Sequence, residues 1–276
     1  MSILSVCYTL ILFVRSDIKT ILLPVSLFTL ITAGRPWDPV GAANASLWLL
    51  VHLLQFNFSN QLVALEEDIC NKPYRPLPSR RITVETVDHL RIGAKFVCLV
   101  LSYGHGHKVF YTSSTLIVLC MLYNEADGAR FVIARTILNA FGVSLYFMGT
   151  ILVFDNHRDS HTTAVQAILV NAGVLATTLH AQDFRDIKGD LQSGRNTIPI
   201  SQPILSRYSI LVGLIFWAKV FNVQWSFGPI ADGLFIFFSF WVGIRYCLLT
   251  SVRDDTLSYR WYNVCLEPSC PVLGKN

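Results

Sequence analysis

The sequence has few charged residues and no clustered pattern of metal ligands or disulfides. Only 14% of its 276 residues are Asp, Glu, Lys or Arg, whereas soluble domains usually carry roughly a quarter. The seven cysteines show no C-x-x-C spacing, which argues against a zinc site and a disulfide framework. No basic tract is present, because the net charge of +4 is spread between apolar segments. Nucleic-acid binding is therefore not expected.

What the sequence does have is apolar segments of the length that a bilayer requires. A helix needs about 20 residues to cross ~30 Å of hydrocarbon. Apolar runs separated by polar or Gly/Pro breaks predict eight membrane spans: 18–34, 44–65, 85–103, 108–123, 131–154, 163–182, 206–223 and 229–250. We therefore predict an all-α fold, a polytopic membrane helix bundle, in one transmembrane domain that covers residues 1–276. Its main partner is the lipid bilayer.

The two ends of the chain fit this bundle less directly. Residues 1–17 carry an apolar stretch that is short for a span, and we predict a helix at the membrane interface. Residues 255–276 contain charges and prolines, so they form either a polar tail or a short ninth span. Lys and Arg concentrate on one side of the predicted bundle, which predicts that this side is cytoplasmic. We expect a protein of the endoplasmic reticulum whose acidic loops face the cytoplasm.

A first polar motif follows the second predicted span. Asn60 and Asp68 are eight residues apart. On one continuous helix this spacing places an amide oxygen and a carboxylate within about 80° of each other, two turns apart. Hard oxygen donors of this kind suit Mg²⁺. Lys72 and Arg75 follow in a Pro-rich segment, where basic side chains can bind phosphate oxygens.

A second polar motif follows the sixth predicted span. Asp183, Asp186 and Asp190 are spaced i, i+3 and i+7, which predicts one acidic stripe on a helix. Lys188 and Arg195 lie among and after them. A solvated loop would also carry mixed charges, but a carboxylate at membrane depth costs roughly 2.5–3.5 kcal/mol and usually lines a cavity. A diphosphate with about three negative charges would need divalent cations between it and these carboxylates.

Together the two motifs resemble those of the UbiA superfamily of intramembrane prenyltransferases. That family shows N-D-x-x-D-x-x-x-D with a K-P-x-R-P-type loop, and then D-x-x-D-x-x-x-D leading to G-x-x-T-x-P. The matching positions in this chain are Asn60, Asp68, the loop 72–76, Asp183, Asp186, Asp190, Gly194, Thr197 and Pro199. The resemblance implies about eight to nine transmembrane helices around a central cavity. It also implies Mg²⁺ as cofactor and ionisation of a prenyl diphosphate as the shared step.

The resemblance further assigns a role to each candidate residue. The metal ligands, which are also the catalytic candidates, would be Asn60, Asp68, Asp183, Asp186 and Asp190. The diphosphate would be bound by Lys72, Arg75, Lys188, Arg15 and Arg195. The prenyl tail would lie among the apolar helices, where Phe and Tyr faces can stabilise a carbocation by cation–π attraction.

The first motif departs from the family in a way that bears on the reaction. Gln61 and Ala64 stand where the prenyltransferases commonly have Asp, and Glu66 and Glu67 are expected to point to other helix faces. A motif reduced in this way is similar to that of the fungal UbiA-type terpene cyclases. This similarity implies a membrane class I terpene cyclase that converts farnesyl or geranylgeranyl diphosphate to a cyclic hydrocarbon and diphosphate.

Two other functions stay open at this point. An aromatic prenyltransferase of the same fold shares the ionisation step but also binds an acceptor, and the reduced first motif argues against it. A transporter or non-catalytic lipid-binding protein with a polar interior needs no catalytic carboxylates. The family's Y-x-x-x-K element does not decide between them. Tyr123 is followed by Asp127 where the lysine would stand, and Arg130 is the nearest base.

Overall fold

The computed structural model describes residues 2–32, 38–155, 162–192, 194–225 and 228–266. Its helices, in chain order, are α1 (Ile3–Val14), α2 (Leu23–Thr32), α3 (Pro39–Val63), α4 (Leu65–Asn71), α5 (Val84–Gly104), α6 (His107–Asn124), α7 (Val132–Asp155), α8 (Thr162–Thr178), α9 (Ile187–Gln192), α10 (Ile198–Ser201), α11 (Pro203–Trp225), α12 (Pro229–Leu248) and α13 (Val252–Leu266). A π-helical turn covers Ile18–Leu22, and 3₁₀ segments cover Gly128–Arg130 and Leu179–Arg185. No strand occurs in the described ranges, so the predicted all-α fold is confirmed.

Each of the eight predicted spans falls on a helix, and the differences lie at the ends. The largest is at α3, which begins at Pro39 rather than near residue 44. Asp38 caps this helix, because its carboxylate accepts the backbone N–H groups of Val40 and Gly41 at 3.1 Å each. Proline at the first helical position fits the same start, since it has no N–H to satisfy there. Hydrophobicity alone does not detect such a polar cap.

Among the described residues, four helices are long and apolar enough, by length and composition, to cross a membrane: Pro39–Val63, Val132–Asp155, Pro203–Gln224 and Pro229–Leu248. Large apolar side chains also cover the outside of the bundle. Val100, Phe141 and Phe237, for example, are 74%, 61% and 67% exposed. Water-soluble monomers rarely expose apolar patches of this extent, whereas lipid tails would cover them. The surface agrees with the predicted membrane bundle.

The main core lies between the α3 and α7 helices. Trp48 of α3 is fully buried, and its indole N–H donates to Ser102 Oγ of α5 at 2.8 Å. Its ring lies directly against Gly149 of α7, where any side chain would overlap it. The small residue therefore allows the two helices to approach closely around a large aromatic ring.

The two ends of the chain are helical where the structure describes them. Leu12, Phe13 and Val14 of α1 are buried, and α1 contacts α3. The tail forms α13, whose buried Tyr259 and Tyr262 pack near α12 and the 3₁₀ segment before α9. The positions of α1 at the interface and of α13 as a ninth span stay predictions. Residues 267–276, the rest of the predicted tail, lie outside the described residues.

Candidate functional site

The helix that carries the first motif is interrupted between its two key residues. The α3 helix ends at Val63 and α4 begins at Leu65, with Ala64 at φ −93° and ψ 21° between them. The assumption of one continuous helix from Asn60 to Asp68 is therefore wrong. Because the interruption reorients α4, helical spacing alone does not decide which of its carboxylates face the site.

Asp68 is completely buried and is bound by the loop that follows it. Arg75 Nη1 donates to both carboxylate oxygens of Asp68, at 2.9 and 2.7 Å, and Lys72 Nζ lies 3.9 Å away. Arg75 Nη2 also donates to Ser16 Oγ at 3.1 Å. Burial makes an unpaired carboxylate costly, and a two-oxygen contact with a guanidinium is a strong way to satisfy it. Arg75, predicted to bind diphosphate, thus neutralises Asp68 here.

Asn60 of the first motif is held in place by a polar side chain of α6. Asn60 Nδ2 donates to Asn124 Oδ1 at 3.1 Å, and Asn124 itself donates to the Cys120 carbonyl at 3.1 Å. These bonds use the amide N–H group of Asn60 and leave its carbonyl oxygen as the natural ligand atom.

Asp17 is a site residue that the sequence reasoning missed. Its carboxylate accepts a hydrogen bond from Asn57 Nδ2 at 2.7 Å. Burial raises the pKa of Asp17, and the charges of Arg75 and Lys72 oppose that rise. The available signal was a polar Ser-Asp pair at the end of the apolar N-terminal stretch. Spacing could not show that this pair would lie beside the Lys72–Pro76 loop.

The second motif is not the single helical stripe that its spacing predicted. Asp183 lies in the 3₁₀ segment, Asp186 at the junction that follows, and Asp190 in α9. Asp183 and Asp190 are buried, while the Asp186 side chain is 17% exposed and its Oδ2 lies 3.6 Å from Arg185 Nε. Asp186 is the carboxylate of this motif that is most accessible to a ligand.

Arg135 binds the second motif from another helix. Its Nη2 donates to Asp183 Oδ1 at 2.7 Å, and its side chain is 12% exposed. Burial raises the pKa of Asp183, and Arg135 opposes that rise. The sequence reasoning missed Arg135, because it lies 48 residues away from its partner in an apolar span. A cation within such a span is a general signal of a buried anionic partner.

Arg195 joins the two motifs. Its Nη1 lies 3.5 Å from Asp190 Oδ1 and contacts Glu67 Oε2 directly. The backbone turns back at this point, because Gly194 has φ +66°. The Arg195 N–H donates to the Asp190 carbonyl at 2.8 Å, which holds Arg195 beside Asp190. Glu67 is 5% exposed, so the expectation that it points away from the site is wrong. Glu66 is the exposed one of the pair.

A direct contact between α4 and α9 brings the acidic motifs together. Asn71 Nδ2 donates to the Asp186 carbonyl at 3.2 Å. Gly189 makes room for this contact, since a Cβ at that position would overlap the Asn71 amide. The pKa of Asp190 is raised to about 7, chiefly by burial; Arg135 opposes the rise, and the nearby Glu67 and Asp183 contribute to it. Several carboxylates therefore crowd one buried junction.

Two of the predicted phosphate-binding residues lie at the exposed edge of the site. Arg15 is exposed, and its guanidinium carbon is 4.8 Å from the centre of the Tyr74 ring in the Pro-rich loop. Lys188 is exposed and makes no ion pair with another described residue. Both side chains are free to move toward a ligand, but this structure does not bring them to the junction.

A series of cavities extends from this junction into the bundle. A polar cavity of about 270 Å³ is lined by Glu67, Arg195, Arg130 and Tyr123, among others. Tyr123 also lines an apolar cavity of about 60 Å³, whose wall includes Val143. Val143 in turn lines a third cavity, mostly apolar and of about 210 Å³. Neighbouring cavities share the wall residues Tyr123 and Val143, and their lining changes from charged to apolar.

The donor set at the junction has the chemistry that Mg²⁺ requires. Within the described residues, no three His, Cys, Asp or Glu side chains are already arranged as a metal site. However, Glu67 and Asp190 share one guanidinium nitrogen of Arg195, and burial, with a smaller contribution from the neighbouring carboxylates, raises the pKa of Asp190. Hard carboxylate oxygens that are held together against their repulsion fit a hard divalent cation.

Comparison with known proteins gives the same answer as the motifs. The profile of the UbiA prenyltransferase family matches residues 21–264. Fumagillin beta-trans-bergamotene synthase of Aspergillus fumigatus is 33% identical over 275 residues, which cover 97% of this chain and 90% of that protein. A polyprenyl transferase of Hericium erinaceus is 28% identical over 153 residues, covering 55% of this chain and 52% of that protein.

A solved structure shows the same fold. The UbiA homolog from Archaeoglobus fulgidus bound to DMAPP and Mg²⁺ superposes with a TM-score of 0.69 at 14% identity. The superposition covers 97% of this chain and 100% of that one. The motifs, the helical bundle and the family match thus agree, and this chain belongs to the UbiA prenyltransferase family of integral membrane proteins.

Proposed function

We propose that this protein is a Mg²⁺-dependent membrane terpene cyclase. It ionises farnesyl or geranylgeranyl diphosphate and closes the chain to a cyclic hydrocarbon, with release of diphosphate. The observation that carries the proposal is the contact between the two acidic motifs at the charged end of the cavity series. That arrangement suits a molecule with an anionic head and an apolar tail. The similarity to a named terpene synthase over nearly the whole chain supports the same reaction class.

In this proposal the candidate residues divide into three roles. Asn60, Asp68, Asp183, Asp186 and Asp190 hold Mg²⁺, which when bound neutralises the departing diphosphate. Lys72, Lys188, Arg15 and Arg195 bind the outer phosphate oxygens. Arg75 and Arg135 act as positioning residues, because each already holds one carboxylate of a motif.

The reaction then follows from the separation of charged and apolar surroundings. The allylic C–O bond breaks, and its electron pair leaves with the diphosphate at the polar end. The carbocation stays in the apolar cavity, where Phe56, Tyr123 and Tyr146 line the wall. Aromatic faces stabilise such a cation by about 2 kcal/mol each when water is excluded. A double bond of the same chain attacks the cation, and loss of a proton gives the hydrocarbon.

An aromatic prenyltransferase is the second candidate function. It is supported by the family itself and by the similarity to a polyprenyl transferase. Ionisation would be the same, but an aromatic acceptor would take the cation. The third reading, a non-catalytic lipid-binding or transport protein, would bind a prenyl diphosphate without breaking it.

One product analysis separates the three. Membranes that contain the expressed protein are incubated with farnesyl or geranylgeranyl diphosphate and Mg²⁺, without acceptor, and the volatile fraction is analysed by gas chromatography with mass detection. We expect a cyclic hydrocarbon from one of the two substrates. Product that forms only after an aromatic acceptor is added identifies a transferase. Binding without diphosphate release identifies the non-catalytic alternative.

We further propose that the protein lies in the endoplasmic reticulum with both motifs facing the cytoplasm. The charge asymmetry of the loops supports this orientation. The test is protease treatment of intact microsomes that contain the protein with a cleavable tag, placed before α1 or in the loop 72–83. Cleavage at the loop tag without detergent is expected, and protection of that tag until detergent is added would contradict the orientation.

A further inference from the structure

Glu67 occupies a position that the family motif does not assign. Its side chain is 6% exposed, and its Oε2 atom has no hydrogen-bond partner although it contacts the Arg195 guanidinium. The same guanidinium nitrogen lies beside Asp190 of the second motif. Two buried carboxylates, one from each motif, therefore share one guanidinium nitrogen.

The interruption at Ala64 explains how Glu67 reaches this place. Ala64 stands where the family motif commonly has an aspartate, and it lines the same polar cavity as Glu67. The α4 helix restarts after Ala64 and carries Glu67 inward, while Glu66 stays exposed. A carboxylate is thus absent at position 64, and another one reaches the same cavity three residues later.

We propose that Glu67 is a Mg²⁺ ligand of the first motif that replaces the missing carboxylate at position 64. Arg195, which contacts both Glu67 and Asp190, supplies positive charge there that a bound cation would otherwise supply. When the cation binds, Arg195 is released from both carboxylates and becomes available to the diphosphate. This inference rests on the metal dependence in the proposed function, but it concerns binding and not turnover.

The test measures metal binding directly with the purified full-length protein in detergent. Mn²⁺ with inorganic pyrophosphate is titrated, and free Mn²⁺ is followed by electron paramagnetic resonance. Glu67→Gln should weaken Mn²⁺ binding by at least about tenfold, because loss of even the groups that support metal ligands typically costs that much. Glu67→Asp should retain part of the affinity. Glu85→Gln is the control, because Glu85 is exposed in the first turn of α5 and lines none of the three cavities; it should bind Mn²⁺ as the unchanged protein does.

Arg195→Gln separates a ligand from a residue that only anchors the arginine. If Arg195 stands in for the cation, its removal tightens Mn²⁺ binding in the absence of pyrophosphate, opposite in sign to Glu67→Gln. If Glu67 serves only to hold Arg195, the two variants change Mn²⁺ binding in the same direction, and the inference is overturned. Should Glu67→Gln fail to fold, Glu67→Asp decides, because an unchanged Mn²⁺ affinity in that variant overturns the inference.

The proposed function and this inference fail in different ways. A wild-type protein that makes no hydrocarbon from either substrate contradicts the cyclase assignment, whatever Glu67 does. A wild-type protein that cyclises its substrate, together with a Glu67→Gln variant that binds Mn²⁺ normally, contradicts only the role of Glu67.

Discussion

The two acidic motifs are neutralised in different ways. In the first, Asp68 is bound by Arg75, seven residues further along the chain and in the loop that ends the motif. In the second, Asp183 is bound by Arg135 from α7, which is far away in sequence. The first motif is therefore largely a local unit, whereas the second is completed only when the bundle forms.

The backbone of the second motif is also supported from the C-terminal helices. Tyr246 donates its hydroxyl to the Ala181 carbonyl at 3.2 Å. The Arg207 guanidinium carbon lies 4.3 Å from the centre of the Phe184 ring, and Arg207 binds both carboxylate oxygens of Asp255 at 2.8 and 2.9 Å. The 3₁₀ segment that carries Asp183 therefore depends on α11, α12 and α13. Mutations can test how far the two motifs differ.

Asp68→Asn should have the largest effect on stability. It leaves the buried Arg75 guanidinium without its counter-charge, and breaking a buried pair from one side typically costs about 3–5 kcal/mol. Thermal unfolding in detergent should show a large loss of stability, and activity should disappear. Asp88→Asn is the control, because Asp88 pairs with Arg91 but is 49% exposed. If the two variants are equally stable, Asp68 and Arg75 do not form a buried ion pair.

Arg135→Gln should destabilise less, by roughly 1–3 kcal/mol. Without the guanidinium, the pKa of Asp183 rises further, so the buried carboxyl can take up a proton. A group whose pKa is raised in the folded state favours folding at low pH, and that contribution is lost as the pH rises. The gap in melting temperature between wild type and variant should widen as the pH rises above the usual pKa range of an aspartate. A gap that is independent of pH would mean that Asp183 is not the group left unpaired.

Asp186→Asn should abolish product formation with little change in stability. Its side chain is the most accessible of the second motif, and its contact with Arg185 is long at 3.6 Å. Few native interactions are lost, so a stability change within about 0.5 kcal/mol is expected. Product analysis beside a melting curve checks both parts. Substantial activity in this variant would remove Asp186 from the proposed metal ligands.

Gly189→Ala should have the smallest effect on activity, because it acts only on the contact between the motifs. The new methyl group displaces the Asn71 amide, which loses its hydrogen bond to the Asp186 carbonyl, a cost of about 1 kcal/mol. Turnover should fall in Gly189→Ala. The double variant Asn71→Ala with Gly189→Ala should show no further loss of turnover. Gly93→Ala in α5 is the control, since no atom lies within 4 Å of its added Cβ. Equal turnover of the two glycine variants would show that the tight α4–α9 contact is not needed.

Much of the fold follows from local properties of the chain. Apolar run lengths located the helices, because a segment in hydrocarbon must satisfy its own backbone hydrogen bonds and so becomes helical. Motif spacing selected Asp68, Asp183, Asp186 and Asp190 as candidates, but the continuous helices it predicted are interrupted at Ala64 and in the 3₁₀ segment. Boundaries such as the Asp38 cap were missed, because the polar residue lies outside the apolar run.

The sequence by itself determined an all-helical membrane bundle with two acidic motifs, since hydrophobicity and spacing act over a few turns of helix. Only the tertiary structure decided which charges meet. The interruption at Ala64 carries Glu67 inward, and Arg135 and Asp17 reach the site from segments that are distant in the chain. A buried charge accepts whichever partner the packed helices bring to it, and no local pattern specifies that choice.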